Sequence, residues 1–126
     1  MTSSEIDSKD CLFVCSDEML GEGKYRRIDV FFRGKPDSII IVRHQGKVIA
    51  YRNLCVHMPR TLDCESDFIL DDSGEHLRCS MHGIVYSLET GESLSEICRG
   101  KKLTAIRAME RDQGIYISDR RVKARR

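Results

Sequence analysis

From residue 27 to residue 118 short apolar runs alternate with clusters of turn-forming residues, and no dozen consecutive positions hold a 3.6-residue period. β-branched and aromatic residues fill the runs, as they do in strands buried on one or both faces. The pattern predicts strands at 27–32, 38–43, 47–52, 68–70, 77–78, 84–88, 103–109 and 115–118. His44-Gln45-Gly46 divides the second strand from the third, and its glycine can take the positive φ that a tight hairpin turn requires. Further turns fall at Asp71-Asp72-Ser73-Gly74, Glu89-Thr90-Gly91 and Asp112-Gln113-Gly114. A short helical turn near 18–20 is the exception. The predicted class is all-β, a sandwich or small incomplete barrel.

The chain has 126 residues, 40% of them hydrophobic, which suffices for one core. With two prolines, no tryptophan and no internal repeat, one domain is expected over 11–118, between an N-terminal tail at 1–10 and a basic C-terminal tail at 119–126. Charge is concentrated at the ends. Glu5, Asp7, Asp10, Asp17, Glu18 and Glu22 face Lys9 alone near the start, and Arg120, Arg121, Lys123, Arg125 and Arg126 close the chain. Such blocks read as solvated tails. The net charge of +1 gives no field to attract nucleic acid. No apolar run approaches the ~18 residues of a membrane span, and Met1-Thr2-Ser3-Ser4-Glu5 does not begin an export signal. A cytoplasmic protein without nucleic-acid or membrane partners is therefore expected. In that reducing compartment six cysteines point to metal or redox chemistry rather than disulfides.

Four residues form a pattern. Cys55-Val56-His57 is followed, after residues 58–78, by Cys79-Ser80-Met81-His82, so each segment offers one sulfur and one imidazole just after a predicted strand. Two such segments fit tetrahedral zinc, or an iron–sulfur centre with two cysteines on one iron and two histidines on the other. Structural zinc sites more often pair two cysteines within one knuckle. A nucleophilic Cys79 activated by His82 is a further reading of the second segment, but it leaves Cys55 and His57 unused.

The pattern resembles that of the Rieske [2Fe-2S] proteins, Cys-x-His followed by Cys-x-x-His-Gly, here ending at Gly83. The likeness continues through Tyr86, Thr90-Gly91-Glu92 and Cys98-Arg99-Gly100 to Leu103, and runs from about 12 to 117, in the order seen in small stand-alone bacterial members. It implies small antiparallel sheets with a cluster-binding subdomain of two hairpin-like loops. It also implies one [2Fe-2S] cluster, with Cys55 and Cys79 on the inner iron and His57 and His82 on the outer iron through Nδ1. Two ferric ions, two sulfides and two thiolates carry no net charge when both imidazoles are neutral. Four thiolates would leave the centre negative and harder to reduce.

Departures from the family pattern bear on potential. Arg60 and Met81 stand where the respiratory-complex members carry a disulfide pair, and Ile84 replaces the serine that donates to a cluster sulfide. Tyr86 either donates to a cysteine sulfur or fills the core as a strand aromatic. Fewer donors to sulfur imply a low, ferredoxin-like potential. Cys64 and Cys98 read as buried structural thiols, Cys11 and Cys15 are too far apart for a Cys-x-x-Cys motif, and His44 and His76 read as surface histidines. Asp63, Glu65, Asp67, Asp71, Asp72 and Glu75 make the spacer acidic, while Arg60, Arg78, Arg99, Lys101 and Lys102 put basic charge in or beside the ligand segments. That charge could steer an acidic redox partner or form a solvated face.

The resemblance implies a soluble ferredoxin that is not itself an enzyme and passes one electron from a ferredoxin reductase to a terminal acceptor such as an oxygenase. A catalytic iron domain would need a couple of hundred residues beyond those read here. The alternatives are a non-catalytic Rieske subunit of a larger oxidoreductase, or a zinc-binding structural module.

Overall fold

The run Ser38-Ile39-Ile40-Ile41-Val42 is buried at every position, because its β-branched side chains fill both faces of one extended strand. That strand belongs to a computed structural model that describes residues 11–56, 60–64, 69–70, 75–80 and 84–124. Ten strands are described: β1 (Leu12–Ser16), β2 (Tyr25–Phe32), β3 (Lys35–His44), β4 (Lys47–Arg52), β5 (His76–Arg78), β6 (Val85–Ser87), β7 (Ala105–Ile106), β8 (Ala108–Arg111), β9 (Gly114–Ile117) and β10 (Val122–Ala124). Among the described residues there is no α-helix, only single 3-10 turns at Asp17–Met19 and Glu96–Cys98. The all-β expectation holds, as curled antiparallel sheets. The chain divides into two compact units, Met1–Ala50 with Ile106–Arg126, and Tyr51–Ala105.

One sheet has the order β1-β9-β8 and another β10-β2-β3-β4-β7, the chain leaving the first unit within β4 and returning within β7. The first unit's core joins Leu20, Val30, Phe32, Ile39, Ile41, Ile106, Ile115, Ile117 and Val122. Two-residue turns with positive φ at both positions connect β2 to β3 (Arg33-Gly34), β3 to β4 (Gln45-Gly46) and β8 to β9 (Asp112-Gln113), the twist-compatible geometry for hairpins. In the last of these Gly114 is not the turn residue. It opens β9, where an added Cβ would come within 3.0 Å of the Tyr116 ring and 3.2 Å of Phe13, so the glycine serves close packing instead.

Three expectations change. His44, expected at the surface of a turn, is the last residue of β3 and only 7% exposed. The expected strand at 103–109 is split, because the Arg107 N–H donates to the Asp119 carboxylate at 3.1 Å rather than to a neighbouring strand. Residues 122–124, expected within a tail, form β10 and pair with β2 from Val122↔Phe32 to Ala124↔Val30.

A charged latch precedes β10. Buried Asp119 also accepts from the Arg121 backbone N–H at 3.0 Å and from its guanidinium at 2.9 and 2.7 Å. The bond from Arg121 leads the interactions that hold the Asp119 carboxyl well below its ordinary value of 3.8. Its folded value lies below the unfolded one, so the stabilisation is complete above the unfolded value and is lost as pH falls through the folded one. Asp119→Ala is expected to cost about 2 kcal/mol at neutral pH, a figure discounted because the Arg121 side chain is 34% exposed. Urea unfolding at neutral pH checks the cost, and the gap from the parent protein should shrink as pH drops below the ordinary 3.8.

Candidate metal centre

The second unit is built around the hairpin of β5 and β6, with Leu77 opposite Tyr86 and Arg78 opposite Val85. Side chains alternate along a strand, so Leu77 and Cys79 share one face of this hairpin with Tyr86 and Ile84. All four are buried, whereas His76 and Arg78 on the other face are not. Periodicity alone thus turns the Cys79 thiol inward on the same side as the tyrosine. Beyond the ladder the Cys79 N–H donates to the Ile84 carbonyl at 2.8 Å, closing the segment between β5 and β6.

Cys55 has a matching arrangement. Its N–H donates to the Arg60 carbonyl, again five residues ahead and again at 2.8 Å, so each cysteine stands at the entrance of a short closed loop. Both thiols are buried, Cys55 at 4% and Cys79 at 2% exposure. By sequence position His57 lies inside the first loop and His82 inside the second, but both fall outside the described residues, as do Met81 and Gly83. Among the described residues no three His, Cys, Asp or Glu side chains converge on a metal position.

Tyr86 settles one of the sequence's alternatives by joining both readings. Its ring is fully buried, and its hydroxyl lies 3.2 Å from Cys55 Sγ. The same hydroxyl accepts the Val56 N–H at 3.1 Å. A metal-bound Cys55 thiolate has no proton, so in that state the tyrosine is the donor. Burial, followed by the bond with Cys55, pushes the Tyr86 phenol far above its ordinary range and keeps it protonated. Two buried sulfurs, one already provided with an O–H donor, at the entrances of two similar loops fit the sulfur half of a mixed Cys/His iron–sulfur ligand set.

Sequence reasoning passed over Asn53. It is completely buried two residues before Cys55; its Oδ1 accepts the Leu62 N–H at 2.8 Å and its Nδ2 donates to Asp63 Oδ1 at 3.1 Å. A polar residue followed directly by Leu54 and Cys55 was the available signal. Cys98 is buried, as expected, but Cys64 is exposed, with Ser80 Oγ 4.0 Å from its sulfur; its place in the 60–64 turn faces it outward. Of the basic residues, Arg60, Arg78, Arg99, Lys101 and Lys102 are all exposed, and Arg99 pairs with Glu96 at 3.2 Å in a contact open to water.

No curated protein matches this chain. Solved structures do. The ferredoxin of carbazole 1,9a-dioxygenase from Nocardioides aromaticivorans IC177 is similar with a TM-score of 0.69 and 22% identity, over 86% of this chain and 97% of that one. A chain in the complex of reduced oxygenase and oxidized ferredoxin in carbazole 1,9a-dioxygenase gives 0.71 and 22%, over 88% and 94%. A longer chain in the reduced complex between oxygenase and ferredoxin in that system gives 0.69 and 17%, and the match spans only 28% of its length. These likenesses are of fold. The Rieske [2Fe-2S] domain family matches residues 10–110, most of the sequence, so the chain belongs to the Rieske [2Fe-2S] domain family and its cofactor is a [2Fe-2S] cluster.

Proposed function

We propose that this chain is a soluble, cytoplasmic Rieske-type ferredoxin, with one Rieske domain that begins near residue 11 and includes β10. It carries single electrons between a reductase and a terminal oxidoreductase, an oxygenase being the favoured acceptor, and binds no substrate of its own. In this reading Cys55, His57, Cys79 and His82 hold the cluster. The observation that carries it is the reciprocal match to a ferredoxin, 86% of this chain against 97% of that one. The carbazole dioxygenase structures, in which a ferredoxin is found with an oxygenase, supply the class of partner. Among the described residues no helix is long and apolar enough to cross a membrane.

The cluster, when bound, takes up and returns one electron. The residues of this chain set where and how easily that happens. Cys55 and Cys79 would hold the sulfur-ligated side away from solvent, and the exposed Arg60 and Arg78, beside the two loops, favour an acidic partner surface. A spectroelectrochemical titration tests the function: it should follow a reversible one-electron curve, and the reduced protein should pass its electron to an oxidised oxygenase component, more slowly as salt is added. Irreversible reduction, or substrate turnover by this chain alone, would overturn the reading.

Tyr86 provides a sharper expectation. Its hydroxyl donates to a sulfur that becomes more negative on reduction, so removing it should favour the oxidised state. Losing about 1 kcal/mol of differential hydrogen bonding corresponds to roughly 40 mV for a one-electron couple. Tyr86→Phe is therefore expected to lower the potential by that order while leaving the cluster in place. Protein-film voltammetry on both proteins checks it, and an unchanged or raised potential would remove the donor role.

A further inference from the structure

Resting on the ferredoxin reading, we propose that Asn53 is a positioning residue: through the backbone of Leu62 it fixes the spacing of the two ligand loops. The Leu62 N–H donates to Asn53 Oδ1 at 2.8 Å, and the Leu62 carbonyl accepts the Ser80 N–H, also at 2.8 Å. Asn53 lies two residues before Cys55 and Ser80 directly follows Cys79. A single residue, Leu62, is thus gripped through its own N–H by the segment that leads from β4 into the first loop, and through its own carbonyl by the second loop. Asn53 and Leu62 are both fully buried, so the bond between them does not compete with water, while Ser80, the donor of the second bond, is partly exposed.

The chemistry specifies an amide. Leu62 presents a buried N–H that needs an acceptor, and Asp63 presents a carboxylate oxygen that needs a donor, 3.1 Å from Asn53 Nδ2. Only a short side chain with one acceptor and one donor serves both, which also fixes which atom of the amide faces which partner. Aspartate at 53 would keep the bond from Leu62 but set two carboxylates against each other. Leucine would leave the Leu62 N–H buried without that acceptor.

The test is a charge-transposition cycle on the holoprotein. Outer residues that orient ligands typically change metal retention 10- to 100-fold. Asn53→Asp is expected to speed bleaching of the visible band under an iron chelator by about that factor, and to broaden the EPR spectrum of the reduced cluster. The pair Asn53→Asp with Asp63→Asn restores a donor opposite an acceptor, and should return bleaching to within about threefold of the parent. Deuterium exchange, followed by mass spectrometry, should rise in Asn53→Asp at both the Leu62 and Ser80 segments. Parent-like bleaching in Asn53→Asp, a double variant as leaky as the single one, or faster exchange at Leu62 without Ser80 would each overturn the positioning role. A parent protein without iron and sulfide would sink the ferredoxin reading instead, and the exchange result would still judge the positioning role.

Discussion

Cys55→Ser and Cys79→Ser are each expected to abolish cluster binding, taking iron and acid-labile sulfide from two of each per chain to nearly none and leaving a colourless protein. The reason lies in both softness and burial. Thiolate is the soft ligand that iron–sulfur centres select, and a serine hydroxyl is a poor replacement. Each thiol is at least 96% buried at the entrance of a closed loop, which leaves little room for water to complete the coordination. The other cysteines make the comparison sharp. Exposed Cys64 and buried Cys98 stand outside the proposed ligand set, so Cys64→Ser and Cys98→Ser should keep the cluster. Iron and sulfide analysis of the four variants decides it: retention in Cys55→Ser or Cys79→Ser, or loss in Cys64→Ser, would assign the ligands wrongly.

The second large effect concerns potential. The protein is expected toward the low end of the Rieske range of about −150 to +300 mV. Ile84 is buried on the Cys79 and Tyr86 face of the β5–β6 hairpin and has no hydroxyl to offer a sulfide, so the extra negative charge of the reduced state has one donor fewer. Ile84→Ser should raise the potential, by roughly 60 mV if the new bond favours the reduced state tenfold. Voltammetry giving a parent value above about +200 mV, near the top of the range, would refute this account of tuning. A fall in Ile84→Ser would refute the assigned role of position 84.

Much of this was legible in the residues themselves. The β2, β3 and β4 strands follow from β-branched runs and the Gln45-Gly46 turn, and the two Cys/His segments named the family before any fold was known. What stayed hidden depended on distant partners. Val122 is a lone apolar residue in a basic segment, and nothing local shows that β2 awaits it or that the Arg107 N–H, twelve residues back, bonds to Asp119. His44 looked like a turn residue because strand ends are read to within a residue or two, and one position decides whether a side chain faces in or out. By residue type alone Cys64 belongs inside, as free cysteines usually do, yet its turn presents it to water. Asn53 was invisible because its meaning is a pair of hydrogen bonds to residues nine and ten positions away.

The central claim, a [2Fe-2S] cluster held by Cys55, His57, Cys79 and His82, is tested most directly by pulsed EPR of the reduced protein. Two imidazole nitrogens coupled to the electron spin are expected, with one lost in each of His57→Cys and His82→Cys if the cluster survives the exchange. A reduced cluster with no nitrogen coupling, or a colourless protein that holds zinc and gives no signal, would contradict it.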